Sequence, residues 1–360
     1  MMQTQRELSS FPIAPVHKTK LAAAGFIIVE DLKGMKPSEL SKETGIGMEE
    51  SLDILKLVLG TDGKGDNSGH VDKSALDILK QEQSLPHIVT FSEQLDNMLG
   101  GGVPLCKITE FCGAPGTGKT QICMQLAVDA QIPECLGGLE AEVIYIDTEG
   151  SFIVERLVDI VTATVEHCKE IAGGDQDSGE LGDFTPERVL SRMHYYRCHD
   201  YIELLATIHL LPDFIKQHSK VRLVIVDSVA FHFRHDFDDM SLRTRLLTST
   251  AQNLIKLATT FELAVVLTNQ MTTKVRAGES SQLVPALGES WGHASTIRVI
   301  LYWEGQERYA WLYKSPSHRE ARVPYQVTMG GIRDVVTEDE SHNDDTVDTD
   351  KNPTKRQRVT

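Results

Sequence analysis

The sequence predicts an α/β protein with a mostly parallel central sheet, helices on both its faces and a C-terminal antiparallel extension. Three observations carry this. The first is Gly113-Ala114-Pro115-Gly116-Thr117-Gly118-Lys119-Thr120, a complete G-x-x-x-x-G-K-[ST] phosphate loop. The second is its setting. The apolar stretch 107–112 precedes it, and 120–131 follows with Ile122, Leu126 and Ala130 at helical spacing. The third is the alternation of unbroken apolar runs with helical patterns downstream, the signature of strands buried on both faces.

Taken in order, residues 1–60 read as a small helical domain, with helical patterns over 18–24, 29–33, 37–44 and 48–59 and stops at Gly25 and Gly34. The tight Gly45-Ile46-Gly47 turn suits either a helix-hairpin-helix, whose amides face a DNA phosphate, or a plain helical protein-contact domain. Residues 61–70 are rich in Gly, Asp and Asn and read as linker; 74–83 reads as a helix leading into the core, so 61–84 forms the connection. The core spans 85–333. Strands are expected at 107–112, 142–147, 193–198, 221–226 and 263–268, and helices at 120–131, 151–171, 201–218 and 241–261. A polar loop is expected at 173–182, and strands without helices at 296–303, 308–313 and 322–329. From Asp334 the chain turns acidic, and 334–360 reads as a disordered tail with a basic end.

Composition narrows the function. A net charge of −16 argues against a broad electrostatic grip on nucleic acid, so any DNA contact must come from local loops. Cysteines at 106, 112, 123, 135, 168 and 198 have no paired spacing and suit reduced, mostly buried thiols of the cytosol or nucleus. No apolar run approaches a membrane span, and the first residues have no signal-peptide core, so no membrane partner is expected.

The chemistry concentrates at strand ends. Glycines let successive N–H groups curl around an anion, Lys119 reaches β- and γ-phosphates, and the Thr120 hydroxyl suits Mg²⁺. Asp227 ends an apolar strand where ligands bind in open α/β sheets, placing it near the metal. Glu149 ends another strand and is placed to activate water; Gln270 ends a third and is placed to sense the γ-phosphate. Two polar loops follow. Residues 231–239 hold Phe233, Arg234 and Phe237, and 271–291 hold Lys274 and Arg276. Basic and aromatic residues together suit single-stranded DNA, although Asp236, Asp238 and Asp239 oppose it.

These stretches, G-A-P-G-T-G-K-T, Y-I-D-T-E-G, L-V-I-V-D-S and L-T-N-Q-M, resemble the eukaryotic RecA-type strand-exchange recombinases, over roughly residues 15–333. F-R-H-D-F-D-D-M-S-L-R-T-R-L-L and V-P-A-L-G-E-S-W-G-H-A are similar to the C-type paralogues of that family. The resemblance implies a RecA-like P-loop ATPase core that binds ATP and Mg²⁺ and hydrolyses slowly. Gly113, Ala114, Pro115, Gly116, Thr117, Gly118, Lys119 and Thr120 would hold the phosphates, and Arg156 would lie against the adenine. Glu149, Lys119 and Gln270 would form the catalytic set, with Thr120 and Asp227 at the metal. Residues 231–243 and 271–289 match the DNA-binding loops, with Arg234, Arg243, Lys274 and Arg276 as candidate contacts. Lys355, Arg356 and Arg358 match a nuclear-import signal, implying a nuclear and also cytoplasmic location.

The implied role is homologous-recombination repair of breaks and stalled forks. The implied partners are sister paralogues in a hetero-oligomer, the strand-exchange recombinase, and single-stranded and branched DNA. A non-catalytic ATP-bound scaffold and an autonomous strand-exchange enzyme are the alternatives. Two departures from the family stand out. Asp72-Lys73-Ser74-Ala75 lacks the phenylalanine of the Phe-x-x-Ala anchor that docks on a neighbouring protomer. In the strip Tyr313-Lys314-Ser315-Pro316, which would cap ATP across a protomer interface, Lys314 replaces an aspartate, and is expected beside a neighbour's triphosphate.

Overall fold

The computed structural model describes residues 6–59, 74–173, 183–235, 237, 239–274 and 282–335. The chain divides into two compact units, Met1–Gln83 and Ser84–Thr360. The first holds α1 (Pro15–Ala23), α2 (Pro37–Thr44), α3 (Met48–Leu59) and α4 (Ala75–Ser84). Proline opens both α1 and α2, where its missing N–H costs nothing. Gly45 closes α2 at φ 64°, a left-handed cap that a Cβ would strain. Leu21, Leu32, Leu40 and Val58 meet in a core of their own. The helix expected over 29–33 is instead a single 3₁₀ turn, Val29–Leu32. The Asp31 carboxylate accepts the N–H groups of Ile27 and Ile28 (2.8 and 3.0 Å), closing the turn on itself, and Gly34 at φ 80° then redirects the chain. The 61–70 linker and Asp72-Lys73 lie outside the described residues.

The second unit carries β1 (His87–Ile88), α5 (Glu93–Leu99), β2 (Val103–Pro104), β3 (Ile108–Gly113), α6 (Lys119–Asp129), β4 (Glu142–Asp147) and α7 (Val154–Ile171). Next come α8 (Pro186–Ser191), β5 (Met193–Arg197), α9 (Tyr201–Gln217), β6 (Val221–Asp227), α10 (Phe231–His235) and α11 (Met240–Thr260). Then follow β7 (Ala264–Asn269), β8 (Met271–Lys274), β9 (Gln282–Pro285), β10 (Ile297–Glu304), β11 (Glu307–Lys314), β12 (Arg322–Thr328) and β13 (Gly331–Arg333). Nine strands form one sheet in the order β13-β12-β11-β10-β3-β7-β6-β4-β5. From β10 to β5 every pairing is parallel; β10 through β13 pair antiparallel. The predicted architecture is therefore the observed one.

Alternation along β4 shows how the sheet is covered. Val143 and Tyr145 pack with Ile122, Leu126, Ile160 and Val161 of α6 and α7. Ile144 and Ile146 pack with Leu204, Ile208, Leu254 and Leu257 of α9 and α11 on the opposite face. Each fully buried aliphatic side chain contributes about 1.5–3 kcal/mol relative to an exposed one, so the apolar strands pin the polar residues at their ends.

Two regions read as loops contain structure. Residues 231–235 form α10, and the 271–291 stretch contains the antiparallel pair β8–β9, from Met271↔Pro285 to Lys274↔Gln282. Asp334, expected in the acidic tail, is part of the fold, and 336–360 lie outside the described residues. Asp334 accepts the Ser92 hydroxyl (2.5 Å) and the N–H groups of Glu93 and Gln94 (2.8 and 3.2 Å). It therefore caps α5, a helix too short to leave a periodic signal. Asp334→Ala is expected to lower stability by about 1 kcal/mol, measured as a shifted urea midpoint with unchanged slope.

Candidate nucleotide site

The phosphate loop joins β3 to α6. Gly116 and Gly118 adopt φ 80° and 104°, so the loop turns its amides inward at positions closed to most side chains. A Cβ on Gly113 would sit 2.6 Å from Thr117 Oγ1 and 2.8 Å from the Leu301 carbonyl oxygen. The loop is braced from a strand three places along the sheet: the buried Tyr325 hydroxyl of β12 donates to the Thr117 carbonyl (2.5 Å). Lys119 Nζ donates to the carbonyls of Gly113 (2.9 Å) and Ala114 (3.2 Å). Burial pulls its ammonium below the usual lysine range, against the opposing charges of Glu149 and Asp227.

Sheet pairing gathers the remaining groups. Asp147 is level with Asp227 across β4 and β6, and Thr268 is level with Phe111 across β7 and β3. Asp227 Oδ2 accepts the Thr120 hydroxyl (2.8 Å) and the Tyr145 hydroxyl (2.9 Å); Oδ1 accepts Thr268 Oγ1 (2.5 Å). Burial raises the Asp227 carboxyl, while these three donors pull it back down and the Glu149 charge raises it again. Glu149 Oε1 accepts Ser228 Oγ (2.5 Å) and Gln270 Nε2 (2.7 Å). Gln270 Oε1 in turn accepts an N–H of Arg234. Thr120, Asp227, Glu149 and Gln270, each predicted separately, thus share one site beside Lys119.

Sequence reasoning missed the supporting residues. Asp147 builds the turn that presents Glu149, its Oδ1 accepting the N–H groups of Glu149 (3.0 Å) and Gly150 (2.7 Å). Tyr195 and Arg197 of β5 hold it from the neighbouring strand, at 3.0 and 3.5 Å from its carboxylate oxygens. Asp147 was legible as a strand-terminal carboxylate; Tyr145, Thr268 and Ser228 read only as strand or turn residues.

Other candidates are placed differently. Arg156 does not join the carboxylates. It donates to Gln121 Oε1 (2.7 Å), to the Thr328 carbonyl (2.6 Å) and to the Met329 carbonyl, fastening α7 to α6 and the β12–β13 turn. Arg243 Nε donates to the Phe233 carbonyl (2.6 Å), and Lys274 pairs with Glu289 (2.8 Å). Phe233 is fully buried and stacks on Phe237, with ring centroids 5.5 Å apart, so it serves the core and not base stacking. Lys314 Nζ donates to the Gly292 (2.9 Å) and Ser295 (2.5 Å) carbonyls of its own chain. In the N-terminal hairpin, the Gly45 N–H donates to the Ser41 carbonyl, that of Ile46 to Thr44 Oγ1 and that of Gly47 to Glu50 Oε2. Its amides are thus engaged within the chain. Arg276, Lys355, Arg356 and Arg358 lie outside the described residues.

The geometry fits a nucleoside triphosphate with Mg²⁺. The loop's positive-φ glycines form the cradle, and an uncharged hydroxyl with a carboxylate at 2.8 Å is an all-oxygen donor pair suited to a hard cation. Fold and site together define a RecA-like phosphate-loop nucleotide-binding protein. Residues 81–171 and 179–335 match the Rad51 family, and the chain belongs to it, as the sequence resemblance indicated. It is 54% identical over 341 residues to DNA repair protein RAD51 homolog 3 of Cricetulus griseus, covering 92% of this chain and 93% of that one. It is 46% identical over 264 residues to DNA repair protein RAD51 homolog 3 of Dictyostelium discoideum, covering 73% and 69%. It is also 32% identical over 339 residues to the DNA repair and recombination protein RadA of Aeropyrum pernix, covering 91% and 97%. Among the described residues, no helix is long and apolar enough to cross a membrane. All six cysteines are free, four of them buried.

Proposed function

We propose that this chain is an ATP-dependent paralogue of the strand-exchange recombinase that acts in homologous-recombination repair of breaks and stalled forks. It assembles with sister paralogues and helps the recombinase load on, or stay on, single-stranded DNA; branched intermediates are a further substrate class. The observation that carries the reading is the convergence of Lys119, Thr120, Asp227, Glu149 and Gln270 on one phosphate loop in a Rad51-family chain. The DNA-repair names of its relatives extend it to repair. The basic stretch 355–358 is the ground for a nuclear as well as cytoplasmic location.

In this reading the loop amides and Lys119 bind the β- and γ-phosphates. Thr120 and Asp227 hold Mg²⁺, which when bound neutralises charge on the phosphate oxygens. Glu149 orients the attacking water and accepts its proton, and Gln270 keeps that carboxylate in place. Arg234, bonded to Gln270, links this centre to the loop facing DNA.

Glu149→Gln tests the chemistry. The variant is expected to bind ATP within about twofold of the unaltered chain and to lose turnover by roughly 10²–10⁴-fold, the usual contribution of general acid–base catalysis. Nucleotide titration and phosphate release check the two halves. Unchanged turnover removes Glu149 from the mechanism. Repair restored in cells by an inactive variant identifies ATP as an assembly ligand and supports the scaffold alternative.

A further inference from the structure

At the end of β4 remote from the nucleotide, Glu142, His194 and His218 come together from three elements. Glu142 opens β4, His194 is the second residue of β5, and His218 is the first residue after α9. Glu142 Oε2 lies 3.0 Å from His194 Nε2 and 3.1 Å from His218 Nδ1. All three ligand atoms lie within 4.8 Å of one another. We propose that these three residues bind a divalent transition metal, with Zn²⁺ the ion their chemistry favours.

The donor set supports this assignment. Two imidazoles and one carboxylate form a three-ligand zinc set that leaves a fourth position for water. At metal–ligand distances of about 2.0–2.1 Å, tetrahedral geometry separates ligand atoms by about 3.3 Å, close to the 3.0 and 3.1 Å from Glu142 Oε2 to the two imidazole nitrogens. Imidazole nitrogen also favours zinc over the harder magnesium of the nucleotide site. The rings are held before any ion arrives: Phe214 stacks on His218 at 4.2 Å and meets His194 edge-on at 4.9 Å. The side chains are 20%, 23% and 37% exposed, so an ion can reach them.

The site stands apart from the nucleotide chemistry. Glu142 and Asp147 stand at opposite ends of β4, about 16 Å apart at the rise of a strand, too far for the ion to touch the phosphates. It would clip the edge strand β5 and the α9–β6 connection to β4.

Metal analysis of the full chain, stripped with chelator, incubated with Zn²⁺ alone and dialysed, tests the proposal. One retained equivalent is expected, with a raised unfolding temperature, both lost in a His194→Ala/His218→Ala double variant whose circular dichroism is unchanged. Co²⁺ substitution should give visible absorption of a low-coordinate ion without a thiolate charge-transfer band, which excludes the cysteines. If the double variant loses its native circular dichroism, the conservative His218→Gln variant and the Co²⁺ spectrum of the unaltered chain decide. Equal Zn²⁺ retention with and without the histidines, no retention at all, or a thiolate band would overturn the site.

Discussion

Lys119→Ala weakens ATP·Mg²⁺ binding by roughly ten- to a hundredfold or more. The ammonium supplies the charge-assisted bonds of the phosphate loop, each worth about 1.5–3 kcal/mol, whereas Arg308 Nη2 meets the loop only at the Gly116 carbonyl, at 3.5 Å. The fold itself should tolerate the change. Lys119 bonds just two loop carbonyls, and burial already disfavours its charge. Calorimetric titration with ATP and a parallel urea melt separate the effects. An affinity within twofold of the unaltered chain would show that the lysine does not grip phosphate. Because Glu149→Gln should leave binding intact, the pair of variants distinguishes a failure to hold nucleotide from a failure to hydrolyse it.

Arg298→Met should lower stability by about 3–5 kcal/mol, the cost of leaving one member of a buried ion pair alone. Glu110, fully buried in β3, accepts Arg298 Nε of β10 at 2.7 Å, with Nη2 at 2.6 Å from the same oxygen. Its other oxygen accepts Trp291 Nε1 (2.9 Å) and Asn269 Nδ2 (2.8 Å). Asn269 immediately precedes Gln270, so this cluster fixes the strand end that presents Gln270 to Glu149. Denaturation of Arg298→Met, Glu110→Leu and the double variant checks the account. The double variant should recover part of the loss by removing the stranded carboxylate; the Trp291 Nε1 donor it strands keeps recovery incomplete, while Asn269 Nδ2 keeps its bond to the Ala286 carbonyl. An Arg298→Met chain within 1 kcal/mol of the unaltered one would count against a buried, desolvated pair.

What could be read in the sequence was what lies close along the chain. The phosphate loop, its flanking strand and helix, and the acids ending β4 and β6 are local patterns, and the structure assembles them as expected. The Glu110–Arg298 pair spans 188 residues, and only the β3–β10 register brings it together. Phe233 beside Arg234 suited stacking on a base, yet the core claims it once α10 folds over Tyr201 and Phe237. Arg156 and Lys314 carried roles implied by family position; their bonds within the chain, to Gln121 Oε1 and the Thr328 and Met329 carbonyls and to the Gly292 and Ser295 carbonyls, are destinations that residue type cannot disclose. Thr268, Asn269 and Gln270 illustrate the rest. Successive side chains alternate between sheet faces, so three adjacent polar residues serve Asp227, Glu110 and Glu149 in turn.

The hydroxyl of Tyr325 and the backbone of Thr117 meet across 208 positions of chain, and the Ile332 amide similarly ties to Gln125 at 3.0 Å. On the ribosome, the nucleotide pocket therefore stays unfinished until nearly all of the second unit has been synthesised. A message cut short before β12 would yield a chain that carries every residue of the motif but lacks the tyrosine that braces it.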